Sequence, residues 1–218
     1  MVNKLSRAAL TISLFFILNC ENDTNQLYGC LDEYGCIELD TDTNILNQYF
    51  ETLDDCQNTC ELESNNQATR VTVFLYENCP IAQYMCGPLR NTYRYVCDTL
   101  NQDIVFRGFS PNAFSTELSL TTFQTQYDIP FELLLDYNST EGVPGPYTQL
   151  YYPIATPEVF VEQNGEIVYR GMIDNSYQSL GQWSPPTENY LLDVLTTIIN
   201  NDEIFYSETE PVGCLINY

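Results

Sequence analysis

A cysteine followed directly by a proline, Cys79-Pro80, is the first place in this sequence where side-chain chemistry is expected. The β-branched and aromatic run at 71–76 predicts a strand, and Pro80 favours the first turn of a helix after it. The unpaired N–H groups and the dipole at a helix N-terminus stabilise the thiolate, which is the reactive form of cysteine. Cys79 is therefore a candidate nucleophile. The carboxylate of Glu77 acts in the opposite direction, because a nearby negative charge disfavours the thiolate.

The second thiol that such chemistry needs is not found at the usual spacing. Ala82 stands where a Cys-x-x-Cys motif would place it. Cys86 lies about 10 Å from Cys79 along an intact helix, whereas a disulfide needs Cα atoms roughly 4.4–6.8 Å apart. Cys97 is further along the same predicted helix, and at least one of Cys86 and Cys97 is expected to be a buried, inert thiol. Cys214 has three open roles: a resolving thiol for Cys79, a structural clamp on Cys86 or Cys97, or a free or intermolecular thiol.

Composition excludes several classes of function. The sequence contains no histidine, so Ser-His-Asp and Cys-His catalysis and the commonest zinc sites are excluded. The 30 acidic and 7 basic residues give a net charge of −23, which repels nucleic acid and anionic lipid head groups. We therefore expect no nucleic-acid partner, no cofactor and no metal, and we interpret the acidic excess as a soluble, self-repelling surface.

The N-terminus has the pattern of an export signal. Lys4 and Arg7 precede an apolar run at 8–18, which is too short to span a bilayer at about 20 residues per helix but suits a signal-peptide core. Residues 1–19 are therefore predicted to be a signal peptide. Cys20 resembles the acylation site of a bacterial lipoprotein, with ordinary cleavage and secretion as the alternative. We expect an exported protein of the cell envelope, a periplasmic or outer-membrane lipoprotein, that contacts the membrane only through this lipid anchor.

Residues 20–62 contain a cluster of cysteines and no long apolar run. A segment this short cannot build a core of its own, so we expect two disulfides to stabilise it. Metal binding by the four cysteines is the alternative interpretation. Acidic side chains around both cysteine pairs favour the disulfides. The stretch YFETLDDCQNTC resembles part of a small cysteine module of exported bacterial proteins. Residues 63–69 are predicted to be a polar linker. The cysteines of the module are Cys30, Cys36, Cys56 and Cys60.

Residues 70–218 alternate between strand and helix patterns. Asn164-Gly165, the strongest short hairpin signal, predicts two strands within 158–171. The order of the elements predicts an α/β fold, with a central mixed sheet flanked by helices. Further strands are predicted at 71–76, 103–109 and 131–137, and helices at 79–100, 115–127 and 185–200.

Several blocks of this domain resemble the thioredoxin superfamily. VTVFLYENCP is similar to its strand and active-site cysteine, and IATPEVFVEQNGEIVYRG to its Thr-Pro step, hairpin and closing glycine. FQTQYDIPFELLLDY resembles the insertion of the redoxin branch. CPIAQY, YRGMIDNSYQSLGQW, PTENYLLDVL and the late GC are similar to blocks of exported bacterial redoxin-domain proteins. The resemblance implies a thioredoxin-like fold for residues 70–218, in which a cis Pro157, preceded by Thr156, faces Cys79.

The same resemblance implies a thiol-based oxidoreductase. Cys79 would act on disulfides or oxidised thiols of a protein or small-molecule substrate, Pro157 would shape the substrate groove, and a second thiol would resolve the mixed disulfide. Two alternatives stay open. One is a catalytically silent redoxin scaffold that serves as a binding or structural protein of the cell envelope. The other is a peroxiredoxin-like peroxidase, although Tyr76 and Thr72 replace the Thr or Ser and the Pro that peroxiredoxins place before their cysteine.

Overall fold

The computed structural model describes residues 27–31, 35–39, 49–59 and 69–218. The predicted signal peptide, Cys20 and Cys60 lie outside these residues, and so does the side chain of Cys30. Within the described ranges, no helix is long and apolar enough to cross a membrane.

The N-terminal part forms a small sheet and a short helix. Its strands are β1 (Leu27–Leu31), β2 (Gly35–Leu39) and β3 (Tyr49–Phe50), in the order β2-β1-β3, and its helix is α1 (Leu53–Thr59). A disulfide joins Cys36 on β2 to Cys56 on α1, with the Cα atoms 5.8 Å apart. This bond is a disulfide of the kind predicted for this segment.

The main domain contains a larger set of strands and helices. The helices are α2 (Pro80–Tyr93), which a π-helix (Arg94–Thr99) continues, α3 (Glu117–Tyr127), α4 (Pro146–Tyr151) and α5 (Tyr190–Asn200). The strands are β4 (Thr69–Phe74), β5 (Ile104–Ser110), β6 (Glu132–Leu135), β7 (Tyr137–Asn138), β8 (Val143–Pro144), β9 (Ala155–Thr156), β10 (Glu158–Gln163), β11 (Glu166–Gly171), β12 (Tyr177–Ser179), β13 (Gln182–Trp183) and β14 (Cys214–Leu215).

The central sheet has the strand order β11-β10-β4-β5-β6. Strands β4, β5 and β6 run parallel, with α2 and α3 as their crossovers, while β10 is antiparallel to both β4 and β11. The turn between β10 and β11 contains Asn164 and Gly165 with φ of 54° and 82°, which is the left-handed conformation that the hairpin signal requires. The predicted mixed α/β sheet and its hairpin are therefore confirmed.

Both faces of the sheet are covered. Alternate residues of β4 point to opposite sides: Val71 and Val73 join the large core with α2, α3 and α5, while Phe74 packs with Tyr147 and Tyr151 of α4. The central strand is consequently buried along almost its whole length, and its C-terminal end is a rigid platform for the residues that follow it.

Helix α5 begins at Tyr190, later than the predicted start at 185. The side-chain oxygen of Asn175 accepts hydrogen bonds from the backbone N–H groups of Thr187 and Glu188, at 2.8 and 3.1 Å. These bonds hold the preceding residues outside the helix. The early prolines of this segment therefore lead into the helix instead of forming its first turn.

Candidate active site

Cys79 lies at the junction between the central strand β4 and helix α2. It directly precedes the first helical turn, with φ −81° and ψ 116°, and Pro80 is the first residue of the helix. The Cys79 side chain is fully buried. Its thiol donates a hydrogen bond to the carbonyl oxygen of Thr156, with an Sγ to O distance of 3.1 Å. The sulfur is thus fixed between a helix N-terminus and the backbone of β9.

Thr156 provides the second side of the site. It is the last residue of β9, it is buried, and its peptide bond to Pro157 is cis. Strand β10 begins directly afterwards, so the cis bond connects the site to the central sheet. The backbone of Thr156 faces Cys79 through its carbonyl group and also pairs with the C-terminal strand β14.

The C-terminal segment reaches the site in two steps after α5. It first follows the edge of the sheet, where the N–H of Thr209 donates to the carbonyl oxygen of Arg170 at 3.0 Å. It then crosses to β9 as strand β14, which places Cys214 opposite Thr156 in an antiparallel pair. A Cβ atom at Gly213 would overlap the carbonyl group of Thr156, so the two backbones approach at a distance that a side chain would prevent.

This return of the chain brings the thiols of Cys79 and Cys214 together. Both cysteines are free, and their side chains interact with each other. Burial raises the pKa of Cys214 to about 12, with a further contribution from the adjacent Cys79 side chain. Cys214 therefore stays protonated at neutral pH and can donate its proton to the Cys79 sulfur.

The other two free thiols bond to backbone carbonyl groups. Cys86 is fully buried, donates to the carbonyl oxygen of Ala82 at 3.1 Å, and has its pKa raised to about 12 by burial. Cys97 lies on the π-helix and donates to the carbonyl oxygen of Ile104 at 3.6 Å; burial and, after it, the charge of Asp98 raise its pKa. Both side chains are thus held in the neutral, unreactive form.

A buried carboxylate with no predicted partner holds the active-site loop. Glu77, two residues before Cys79, accepts hydrogen bonds from the hydroxyl groups of Ser115 and Ser119, each at 2.6 Å. Ser119 also forms a capping box with Thr116, which caps α3 one residue beyond the predicted helix start at 115. The loop is thereby tied to the N-terminus of α3, where a negative charge is favourable. No sequence pattern predicts these bonds, because Glu77 and the two serines are distant in the chain.

An open groove lies beside Cys214. Its volume is about 410 Å³, and Cys214 and Thr156 line it where it meets the thiol pair. Aromatic and aliphatic side chains form much of the rest of its surface, among them Tyr76, Phe114, Tyr137 and Leu215.

Three features define a thioredoxin-like fold. They are the strand order of the central sheet, the cysteine at the start of the helix that follows the central strand, and the cis proline beside that cysteine. The fold that the sequence resemblance implied is therefore confirmed. No protein-family model and no curated protein sequence matches the chain.

Solved structures share this fold. An uncharacterized conserved protein from Geobacillus kaustophilus has 19% sequence identity and a TM-score of 0.56, over 70% of this chain and 78% of its own. A hypothetical protein from Sinorhizobium meliloti 1021 has 18% identity and a TM-score of 0.57, over 70% of this chain and 81% of its own. A thiol-disulfide oxidoreductase from Bacteroides fragilis NCTC 9343 has 13% sequence identity and a TM-score of 0.41, over 66% of this chain and 86% of its own. At these identities the likeness to the first two structures concerns the fold alone, and the third, with a TM-score below 0.5, adds no support.

Proposed function

We propose that this chain is a thiol–disulfide oxidoreductase whose redox pair is Cys79 and Cys214. The observation that supports this function best is the meeting of two free thiols from opposite ends of the domain at Thr156, beside a cis proline and at the start of a helix. Two thiols already in contact need little movement to form and break a disulfide. The pair replaces the Cys-x-x-Cys motif that Ala82 interrupts.

In the proposed reaction, the Cys79 thiolate attacks one sulfur of a substrate disulfide. A bond forms between that sulfur and Cys79 Sγ, the substrate disulfide breaks, and the leaving thiolate takes up a proton. Cys214 then loses its proton and attacks Cys79 Sγ, which releases the second substrate thiol and leaves a Cys79–Cys214 disulfide. The substrate gains two electrons and the pair loses two, so a thiol reductant must restore the pair.

The surrounding residues have defined roles in this scheme. Before the reaction Cys214 lies beside Cys79 as a neutral thiol, because burial raises its pKa to about 12. Glu77 is a positioning residue, because its bonds to Ser115 and Ser119 fix the loop that carries Cys79. Strand β14 covers Cys79 and has to move aside for a substrate to reach it. A strand of only two residues opens at low free-energy cost.

Single-cysteine replacement tests the proposal in an insulin-reduction assay driven by dithiothreitol. We expect Cys79→Ser to reduce insulin no faster than dithiothreitol alone. Mixed with oxidised insulin in the absence of dithiothreitol, Cys214→Ser should accumulate a mixed disulfide on Cys79, because the resolving step is lost. Cys97→Ser, which removes a free thiol outside the pair, is the matched control and should turn over like the wild type. Equal rates for wild type and Cys79→Ser would overturn the proposal.

We keep export as part of the proposal, on the pattern of residues 1–19 and Cys20. Fractionation of cells grown with a labelled fatty acid tests it: the wild type should carry the label and Cys20→Ala should not. An unlabelled envelope protein would favour secretion by ordinary cleavage. Among the described residues, no observation specifically favours the peroxidase or the catalytically silent alternative.

A further inference from the structure

The two sulfurs of the proposed redox pair differ in their access to solvent. Cys79 is 0% exposed, whereas Cys214 is half-buried and lines the open groove. Strand β14 places Cys214 between Cys79 and this groove. An external thiol that approaches the closed structure through the groove therefore meets Cys214 first.

The groove has a composition unlike the rest of the surface. The chain carries 37 charged residues and a net charge of −23, yet none of the described residues that line the groove has a charged side chain. Phe114 at its rim is 81% exposed and Leu215 is 76% exposed. Exposed apolar side chains at the rim, with Asn112 and Asn217 among the lining residues, suit an uncharged peptide segment that carries apolar side chains. The acidic remainder of the surface repels acidic molecules in addition.

We infer that this groove binds the electron donor of the enzyme, a thiol carried on an uncharged, apolar peptide segment, and that the donor forms its mixed disulfide with Cys214 and not with Cys79. The inference rests on the proposed redox pair and adds the entry point and the chemical class of its reducing partner.

The donor reduces the Cys79–Cys214 disulfide in two steps. A donor thiolate attacks Sγ of Cys214, the Cys79–Cys214 bond breaks, and Cys79 leaves as a thiolate that then takes up a proton. A second donor thiol loses its proton and attacks the donor sulfur, which yields a donor disulfide and returns Cys214 to its protonated form. The donor loses two electrons and the pair gains two. Attack at Cys79 is disfavoured further because it would expel Cys214, whose raised pKa makes it a poor leaving group.

The position of the mixed disulfide tests the inference on the full chain. The wild-type protein is oxidised with diamide to the Cys79–Cys214 disulfide and mixed with the single-thiol peptide acetyl-Leu-Cys-Phe-amide. The reaction is quenched with acid and mapped by mass spectrometry after peptic digestion. We expect the peptide on Cys214. A peptide found on Cys79 would overturn the inference.

The role of the groove has its own test, by replacement of an exposed rim residue. Phe114→Ser should slow reduction of the pair by this peptide about tenfold, which corresponds to 1.4 kcal/mol of lost apolar contact. Phe205→Ser is the matched control, because Phe205 is 87% exposed and outside the groove lining. The acidic peptide acetyl-Glu-Cys-Glu-amide should react more slowly than the apolar one with the wild type. Equal rates for the two variants, or for the two peptides, would contradict the assignment of the groove.

Dithiothreitol separates this inference from the function on which it rests. A pair that oxidises and is reduced by dithiothreitol, but that carries the peptide on Cys79, keeps the proposed function and loses the inference. A protein in which diamide forms no Cys79–Cys214 disulfide loses both.

Discussion

The molecule contains two cysteine pairs that are joined in opposite ways. Cys36 and Cys56 are bonded, lie 20 positions apart in the sequence, and link a strand to a helix in the small N-terminal segment. Cys79 and Cys214 are free, come from opposite ends of the main domain, and meet beside a large apolar core. The first pair substitutes for a core, whereas the second is brought together by one.

This difference explains why one pair is suited to structure and the other to chemistry. A disulfide that stabilises a small segment by restricting its unfolded state cannot open without loss of that stability. The main domain does not depend on a bond between its two thiols, because its sheet and helices already hold both chain segments. A Cys79–Cys214 bond can therefore form and break while the fold persists.

The largest expected effect comes from breaking the structural pair. Cys56→Ser should destabilise the N-terminal segment by about 3 kcal/mol, the typical value for a closed loop of this size. Hydrogen exchange should show lost protection within 49–59, with unchanged protection of the central sheet and unchanged insulin reduction. Cys97→Ser is the control. Full protection of residues 49–59 from hydrogen exchange in Cys56→Ser would show that the segment does not need its disulfide.

A second change separates the reactive pair without touching either thiol. Gly213→Ala places a Cβ atom against the carbonyl group of Thr156 and should displace strand β14. A displacement of about 1 Å at a reacting group costs roughly 100-fold in rate, so we expect formation of the Cys79–Cys214 disulfide by diamide to slow by that factor.

Gly87→Ala is the matched control for this experiment. Gly87 lies on α2, and an added Cβ atom meets nothing within 4 Å. Stopped-flow quenching and thiol counting measure both variants. An unchanged rate in Gly213→Ala would mean that contact between β14 and β9 does not bring the thiols together.

Local features of the site could be predicted from the sequence, and long-range features could not. The apolar run and Pro80 predict the position of Cys79 at a strand-to-helix junction, and Asn164-Gly165 predicts the hairpin. Both signals act over a few residues. The contact between Cys214 and Cys79 depends on the path of the tail along β11 and on the close approach at Gly213. No pattern near Cys214 reports that path, so three roles stayed open.

The same limit explains the residues that sequence patterns assigned wrongly or missed. The start of α5 is set by the side chain of Asn175, which is distant in the chain. The partners of Glu77 come from the residues around the start of α3, so its role in holding the loop that carries Cys79 was missed. In each case a side chain forms hydrogen bonds with a segment that is distant in the sequence and is close only in the folded structure.

The smallest expected effect concerns a thiol outside both pairs. Burial raises the pKa of Cys86 from 9.0 to about 12 in the folded state, so the folded protein keeps this proton while the unfolded chain releases it. The contribution of Cys86 to the free energy of unfolding is therefore fully present below pH 9 and is lost as the pH rises toward 12. Between pH 8 and 10 this loss is about 1 kcal/mol.

Urea unfolding of the diamide-oxidised protein, in which Cys214 no longer titrates, measures this loss. The free energy of unfolding should decline between pH 8 and 10 by this amount less in Cys86→Ala than in the wild type. Cys97→Ala, whose thiol is less buried, should change the decline less. Identical pH profiles for the wild type and Cys86→Ala would contradict the assignment of Cys86 as a neutral core thiol.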